Sequence, residues 1–292
     1  MKKSHFNAKV TSERLAADRD RAVQQALAED VGSGDVTASL VGRAQMAEAR
    51  VVVRESAVLC GVAWFDAVFA AVDREVEVTW SVEDGARVEP GQTVCELRGP
   101  ARSILTGERT ALNFLQTLSG TATTTAHYAE LIEDTPCRIL DTRKTIPGLR
   151  LAQKYAARMG GAKNHRIGLF DAILIKENHI ASAGSIAEAV RNVRASHPRL
   201  PVEIEVESLE QMEEALGVGV ERLLLDNFSI EDLEVAVAMN KRSGDPVELE
   251  ASGGIEENTL LQVAQTGVDF ISIGALTKHL RATDFSMRFR FA

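Results

Sequence analysis

The chain has 292 residues, of which 45% are hydrophobic and 26% charged, and its net charge is −9. This composition is typical of a soluble globular protein with one large core or two domains, and no apolar run approaches the roughly 20 residues that a membrane span needs. The acidic balance argues against binding to nucleic acid or to anionic lipid.

The N-terminus and the cysteines favour the cytoplasm. Residues 1–6 carry positive charge but no apolar segment follows them, so we expect no signal peptide. Cys60, Cys95 and Cys137 are far apart in sequence and form no CxxC motif, which predicts free thiols in a reducing compartment. We therefore expect a cytoplasmic protein without a membrane partner.

The first part of the chain predicts an α+β arrangement. The predicted elements are a helix over 11–30, a strand or strand pair over 47–59, a helix over 62–72, and three strands separated by turns within 76–97. Thr11 or Ser12 is a suitable N-cap for the first helix. A long helix is predicted over 103–132, where Gly107 or Gly120 could interrupt it.

After residue 132 short apolar runs alternate with helical segments. The runs cover 138–144, 171–178, 202–208, 222–227, 247–254 and 270–275. This alternation predicts a parallel α/β sheet, and most runs end in polar or Gly-rich steps, where an α/β barrel carries its active site. An open doubly wound sheet would also place a ligand at the strand ends. Six strands are fewer than the eight of a complete barrel, and we favour an incomplete α/β barrel.

A cationic segment lies between Arg138 and Lys176. It contains nine Lys or Arg residues and two Asp residues, so its net charge is +7 within an acidic protein. Arg143, Lys144 and Lys176 fall at predicted strand ends, where Arg can bind a carboxylate through two parallel hydrogen bonds and Lys supplies a point charge. These residues predict a substrate with two carboxylates, a phosphate, or both.

For other residues of the cationic segment, the sequence gives weaker evidence of a functional role. His165, beside Arg166, could be structural or could contact the substrate. Arg150, Lys154 and Arg158 recur at helical spacing, which predicts a solvated helix face.

A group of carboxylates is the acidic counterpart of the cationic segment. Glu203, Glu205 and Glu207 alternate with apolar residues and therefore share one face of a strand. Glu205 and Asp226 are the favoured functional pair, suited to Mg²⁺ or to ribose hydroxyls. Glu203 and Glu207 could instead be partners of the cationic segment, and Glu207 is a weaker functional candidate.

Two Gly-containing steps each follow a predicted strand and precede a predicted helix. They are Ser252-Gly253-Gly254 and Ile273-Gly274-Ala275. Backbone N–H groups at such positions bind phosphate, and late barrel loops commonly form a phosphate site.

These motifs together resemble one family. The segments 106–123, 141–180, 203–208, 223–227 and 249–255 closely resemble quinolinate phosphoribosyltransferase (decarboxylating), also called nicotinate-nucleotide pyrophosphorylase. The 141–180 block is long and ungapped, and the similarity extends over nearly the whole chain.

The resemblance implies an α+β sandwich-like N-terminal domain over 1–115 and an incomplete α/β barrel over 116–292, with a tail from about 276 that packs back on the N-terminal domain. It implies transfer of a phosphoribosyl group to quinolinate, with loss of CO₂, in NAD biosynthesis. It also implies a homodimer, or a higher oligomer, in which Arg109 reaches the partner's active site.

The resemblance assigns roles residue by residue. The implied substrate-binding residues are Arg109, Thr142, Arg143, Lys144, His165, Arg166, Lys176, Glu205, Asp226, Ser252, Gly253, Gly254, Ile273, Gly274 and Ala275. Of these, Lys144, Lys176, Glu205 and Asp226 are the implied catalytic residues. Glu205 and Asp226 would hold Mg²⁺ directly or through the substrate.

Three alternatives stay open at this point. One is a phosphoribosyltransferase that acts on a related ring acid without decarboxylation, and another is a Schiff-base aldolase barrel with Lys176 as nucleophile. The third is a carrier module, because the turns within 82–99 resemble those of lipoyl and biotinyl domains. The absence of Lys between Arg54 and Ser103 argues against this last alternative.

Overall fold

The computed structural model describes residue 6 and residues 10–291. These residues form two compact units, each assembled from separate stretches of the chain. Unit 1 comprises Met1–Lys9, His127–Lys144 and Ala162–Gly274, and unit 2 comprises Val10–Ala126, Thr145–Gly161 and Ala275–Ala292. No helix among the described residues is long and apolar enough to cross a membrane.

The elements, in chain order, are α1 (Ser12–Asp30), β1 (Met46–Val53), β2 (Ala57–Val58), α2 (Val62–Val72), β3 (Glu77–Trp80), β4 (Arg87–Val88), β5 (Thr93–Pro100), α3 (Ala101–Glu130), β6 (Arg138–Leu140), α4 (Arg150–Met159), β7 (Ile173–Ile175), α5 (Glu177–Ala183), α6 (Ile186–Ser196), β8 (Val202–Val206), α7 (Leu209–Leu216), β9 (Arg222–Asp226), α8 (Ile230–Arg242), β10 (Glu248–Ser252), α9 (Glu257–Gln265), β11 (Phe270–Ser272), α10 (Ala275–Lys278) and β12 (Phe285–Phe291). The helices and strands predicted from the sequence are all present among them.

Unit 2 is built on an antiparallel sheet with the order β12-β1-β5-β3. Alternate residues of β1, such as Ala47, Ala49 and Val51, are buried in the core of this unit, whereas the residues between them are exposed. This alternation is expected for an antiparallel sheet with one face covered and one face solvated. The C-terminal strand β12 is part of the same sheet, because it pairs with β1 over residues 47–53.

The two long helices of unit 2 have clear local causes. Thr11 caps α1, and its side-chain oxygen accepts a hydrogen bond from the backbone N–H of Arg14. Helix α3 continues through both Gly107 and Gly120. Gly120 lies against the backbone of Arg281, where a Cβ atom would overlap the carbonyl oxygen, so close approach explains this glycine within a helix.

Unit 1 is an incomplete α/β barrel. Its six strands are all parallel and have the order β6-β11-β10-β9-β8-β7. Strands β7 to β11 follow one another in sequence order and β6 joins beyond β11, which is the cyclic order of a barrel that is open between β6 and β7. A doubly wound sheet would reverse its order at a switch point, and this sheet does not.

The open side of β6 carries a short extra segment. Lys163 forms a parallel bridge with Leu140, its N–H donates to the carbonyl of Ile139, and its own carbonyl accepts from the N–H of Asp141. The residues that follow Lys163 are therefore held beside the carboxyl end of β6. Because all six strands are parallel, their carboxyl ends meet at one edge, where the predicted site residues of unit 1 lie.

Candidate active site

The end of β6 provides the first group of polar residues. Asp141 is fully buried, whereas Lys144 is exposed. The Thr142 hydroxyl accepts a hydrogen bond from the backbone N–H of Lys144, at 3.0 Å. Gly274, after β11, lies against the Lys144 side chain. The structure thus brings together Thr142, Lys144 and Gly274, which the sequence predicted separately.

Asp141 anchors the segment after Lys163 to this strand end. Its carboxylate accepts hydrogen bonds from the backbone N–H of His165, at 2.9 Å, and from the Asn164 side chain. Asp141 therefore fixes the backbone of the 164–166 segment relative to β6.

His165 is buried, and both of its ring nitrogens are engaged within unit 1. Nδ1 accepts a hydrogen bond from the backbone N–H of Arg166, at 2.7 Å, and Nε2 lies 2.9 Å from Glu203 Oε2. Burial lowers the pKa of His165, but the carboxylates of Glu250 and Glu203 raise it above its ordinary value overall. The N–H donated to Nδ1 opposes a second proton on the ring, which favours the neutral form with its hydrogen on Nε2.

Arg166 is the buried cation of the 164–166 segment. Its guanidinium donates to the carbonyl of Ala172 at 3.3 Å, whereas its buried Nε has no hydrogen-bond acceptor in the described part of the chain. Burial and the nearby charge of Arg143 both lower the pKa of Arg166. Two adjacent like charges, one with an unused buried donor, form a site for an anionic ligand.

The ends of β7 and β8 provide an ion pair. Lys176 Nζ lies 2.5 Å from Glu205 Oε2, and the Lys176 side chain is 44% exposed, whereas that of Glu205 is 10% exposed. Burial raises the pKa of Glu205, Lys176 lowers it, and the charge of Asp226 raises it further. Glu205 and Asp226 are therefore close enough to interact, as expected for residues on the paired strands β8 and β9.

The loops after β9 and β10 fit together through Asn227, a residue that the sequence did not single out. Asn227 has a positive φ of 58°, which Asn tolerates better than most residues. Its side chain donates to Asp226 Oδ2 at 2.7 Å, and its backbone N–H donates to the carbonyl of Ser252. Gly253 has a φ of 91°, and a Cβ there would overlap the Asn227 amide. Asn227 thus orients Asp226, and its amide leaves no space for a side chain at position 253, where the sequence has the predicted glycine.

The barrel interior holds further charges that the sequence did not predict as a group. Arg222 is 2% exposed, and its guanidinium contacts Glu250 Oε2 at 3.2 Å and Glu248 Oε2 at 2.8 Å. The guanidinium lies between the rings of Phe6 and Phe270, 4.2 and 4.4 Å from their centroids.

The two interior carboxylates differ in protonation. Burial and the charge of Glu203 raise the pKa of Glu250 to about 7. Burial also raises the pKa of Glu203, but the interactions with His165 and Arg222 outweigh burial and lower it overall. Glu203 is thus the stronger acid of the pair. The alternation of Glu203 and Glu205 with apolar residues is the feature of the sequence from which this network could have been predicted.

The remaining predicted residues are placed as follows. Glu207 is exposed beyond the end of β8, and Arg109 is exposed on α3 in unit 2. Ile273 is buried after β11, and Ala275 begins α10.

The solvated face predicted for α4 is wrong at one position. Lys154 is fully buried, whereas Arg158 is exposed and lies 5.8 Å from the centre of the Tyr155 ring. Arg150 is half-buried and donates to the Thr145 hydroxyl. Helical spacing places residues on one face, but other elements of unit 2 decide which part of that face is covered.

Comparisons with known proteins match the chain to one family. The family model for the N-terminal domain of quinolinate phosphoribosyl transferase matches residues 35–119, and the model for its C-terminal domain matches residues 121–288. The probable nicotinate-nucleotide pyrophosphorylase (carboxylating) of Synechocystis sp. is 41% identical over 91% of this chain and 90% of the relative. The nicotinate-nucleotide pyrophosphorylase (carboxylating) of Mycobacterium leprae is 42% identical over 91% of this chain and 95% of the relative.

A solved structure shows the same fold. The nicotinate-nucleotide pyrophosphorylase from Francisella tularensis superimposes with a TM-score of 0.91 and 46% sequence identity, covering 97% of this chain and 98% of that chain.

Proposed function

This chain belongs to the quinolinate phosphoribosyltransferase family, and we propose that it transfers the phosphoribosyl group of phosphoribosyl pyrophosphate to quinolinate with loss of CO₂. The products are nicotinate mononucleotide, pyrophosphate and CO₂, and the reaction belongs to NAD biosynthesis.

The buried Arg166 is the observation that carries this proposal. Its buried Nε donor has no hydrogen-bond acceptor among the described residues, and burial and the charge of Arg143 lower its pKa against the opposing effect of Glu203 and Asp171. A further anionic group would suit this position. Quinolinate has two carboxylates on neighbouring ring carbons, and Arg can bind such groups through parallel hydrogen bonds. Lys144 follows β6 and Lys176 follows β7, and both supply further positive charge at the carboxyl edge of the sheet.

The chemistry requires positioning more than proton transfer. The lone pair of the pyridine nitrogen forms a bond to ribose C1 as the bond from C1 to pyrophosphate breaks. The Glu205 and Asp226 carboxylates stabilise the positive charge that develops at C1. The pyridinium then accepts the electrons of the bond to the C2 carboxylate, CO₂ leaves, and C2 takes a proton. The protein holds two polyanions together that would otherwise repel each other.

The donor set at the ends of β8 and β9 fits Mg²⁺. Glu205 and Asp226 offer carboxylate oxygens, and Mg²⁺ in enzymes is usually held by one or two carboxylates together with substrate phosphates. When bound, Mg²⁺ would neutralise charge on the leaving pyrophosphate. Glu205 already pairs with Lys176, so we expect contact with the ion through the substrate or through water.

The first test is a product assay. Purified protein receives phosphoribosyl pyrophosphate, Mg²⁺ and either quinolinate or nicotinate, and the released CO₂ and pyrophosphate are measured. We expect equal amounts of both products from quinolinate and neither from nicotinate. Pyrophosphate without CO₂, or activity with nicotinate alone, would contradict decarboxylation and favour a relative that acts on another ring acid.

A Schiff-base aldolase is disfavoured, because it needs a neutral amine whereas the Lys176 ammonium forms an ion pair with Glu205.

We also propose a homodimer in which Arg109 completes the active site of the partner subunit. Arg109 is exposed on α3, and the family resemblance assigns it to the neighbouring site. If so, equal mixing of the inactive variants Arg109→Ala and Lys176→Ala should restore roughly a quarter of wild-type activity. The reason is that half of the dimers are mixed and each has one intact site.

The control for this experiment is a mixture of Lys176→Ala with Arg166→Met. Both changes lie in unit 1, so every site of a mixed dimer is damaged and no activity should return. Recovery in the control but not in the test mixture would argue against a shared site.

A further inference from the structure

Glu203 is a buried carboxylate for which the proposed reaction has no direct role. It lies on β8, two residues before Glu205, and it is fully buried. Burial of an ionised carboxylate is costly unless a specific partner compensates it. Its nearest partners are Nε2 of the His165 ring, at 2.9 Å, and the guanidinium of Arg222.

The contacts of His165 connect Glu203 to Arg166. The Arg166 N–H donates to Nδ1, so Nδ1 is an acceptor and the ring hydrogen lies on Nε2, which is 2.9 Å from Glu203 Oε2. Exchanging the tautomer would place a hydrogen on Nδ1 against the Arg166 N–H. A carboxylate that fixes the tautomer of a histidine also fixes the ring and whatever the second nitrogen binds.

Asp141 holds the same segment from the other side. It accepts from the His165 N–H at 2.9 Å, so the backbone of residues 165 and 166 is bound between β6 and β8. From this position the Arg166 side chain reaches the carbonyl of Ala172 and leaves its Nε unused. The ring of His165 therefore holds the backbone from which the Arg166 side chain extends.

We propose that Glu203 is a positioning residue for quinolinate recognition, acting through the tautomer of His165 on Arg166. This inference rests on the proposed function, because it concerns the ligand of Arg166. Glu203 itself contacts no substrate, and its effect is on binding of the ring acid rather than on phosphoribosyl pyrophosphate.

The kinetic test compares Glu203→Leu with Glu203→Gln. Leu removes the carboxylate that lies 2.9 Å from His165 Nε2 and leaves only the more distant Glu250 Oε2, at 3.5 Å, beside it. We expect the KM for quinolinate to rise ~10-fold or more, with little change in the KM for phosphoribosyl pyrophosphate. Gln retains a carbonyl oxygen that can accept from Nε2, and its KM should stay within about threefold of wild type. Glu213→Gln, an exposed change on α7, is the matched control. A folded Glu203→Leu protein with a normal KM for quinolinate would overturn the proposal, as would equal losses for both substrates.

A second test uses the wild-type protein, so its result does not depend on whether the Glu203 variants fold. With ¹⁵N-labelled histidine at about pH 8, the signals of His165, assigned by their loss in His165→Gln, should report a neutral ring with its hydrogen on Nε2. A ring with its hydrogen on Nδ1, or with both nitrogens protonated, would overturn the proposal. This readout does not use the reaction, so it is independent of failure in the product assay.

Discussion

Replacing Arg166 by Met should abolish use of quinolinate while leaving the fold intact. We expect kcat/KM for quinolinate to fall ~10²–10³-fold, the effect of removing one partner of a buried charge-assisted hydrogen bond. The melting temperature should change by less than about 3 °C, because the guanidinium has one long hydrogen bond within the described part of the chain, and the like charge of Arg143 opposes the attraction of Glu203 and Asp171. Steady-state kinetics and thermal unfolding measure the two effects.

The matched control is Lys163→Met, which removes an exposed cation three residues earlier in the same segment. Activity of this control should remain within about twofold of wild type, because an isolated exposed charge contributes little. If both variants lost activity equally, the general positive charge of the segment would be responsible and not the buried guanidinium. If Arg166→Met lost stability instead of activity, Arg166 would be a structural residue.

The contrast between these outcomes has a physical origin. Burial and the charge of Arg143 lower the pKa of Arg166, and the carboxylates of Glu203 and Asp171 act in the opposite direction. Under the proposed function, a substrate carboxylate would add to these acidic partners, and functional sites often conflict in this way with local rules of stability.

Much of the barrel and of its rim could be predicted from the sequence. Strands were identified by apolar runs, and Arg143, Lys176, Glu205 and Asp226 follow those runs at positions that parallel strands bring to one edge. Gly253 was predicted from its place after a strand, and the structure adds the reason, which is the close approach of Asn227.

The interior of the barrel could not be predicted in the same way. Arg222 meets Glu250 through the register of β9 against β10, and it meets Phe6, which is more than 200 residues away in the sequence. Single-sequence patterns contain the spacing along one strand but not the alignment between strands. Lys154 illustrates the same limit in a helix. Its spacing from Arg150 and Arg158 predicts a surface position, whereas the structure buries it fully.

Replacing Arg222 by Met should be the most destabilising of the changes considered. The guanidinium is the cation between Glu250 and Glu248 and lies near Glu203, and removing one partner of a buried ion pair costs ~3–5 kcal/mol. Denaturant unfolding at neutral pH measures the loss. Arg191→Met, which removes a pair between exposed residues of α6, is the control and should cost less than about 1 kcal/mol.

The loss should also depend on pH with a definite sign. The pKa of Glu250 is raised by burial and by Glu203, and Arg222 and His165 act to lower it, so removing Arg222 raises it further. An acid with a folded pKa above its unfolded value favours the folded state when protonated, and this contribution is lost as pH rises. Arg222→Met should therefore be less destabilised at about pH 6 than at about pH 8, and adding Glu250→Gln should recover stability mainly at the higher pH. A loss that does not change with pH and is not reduced by Glu250→Gln would show that packing of the guanidinium between Phe6 and Phe270 is the main contribution of Arg222.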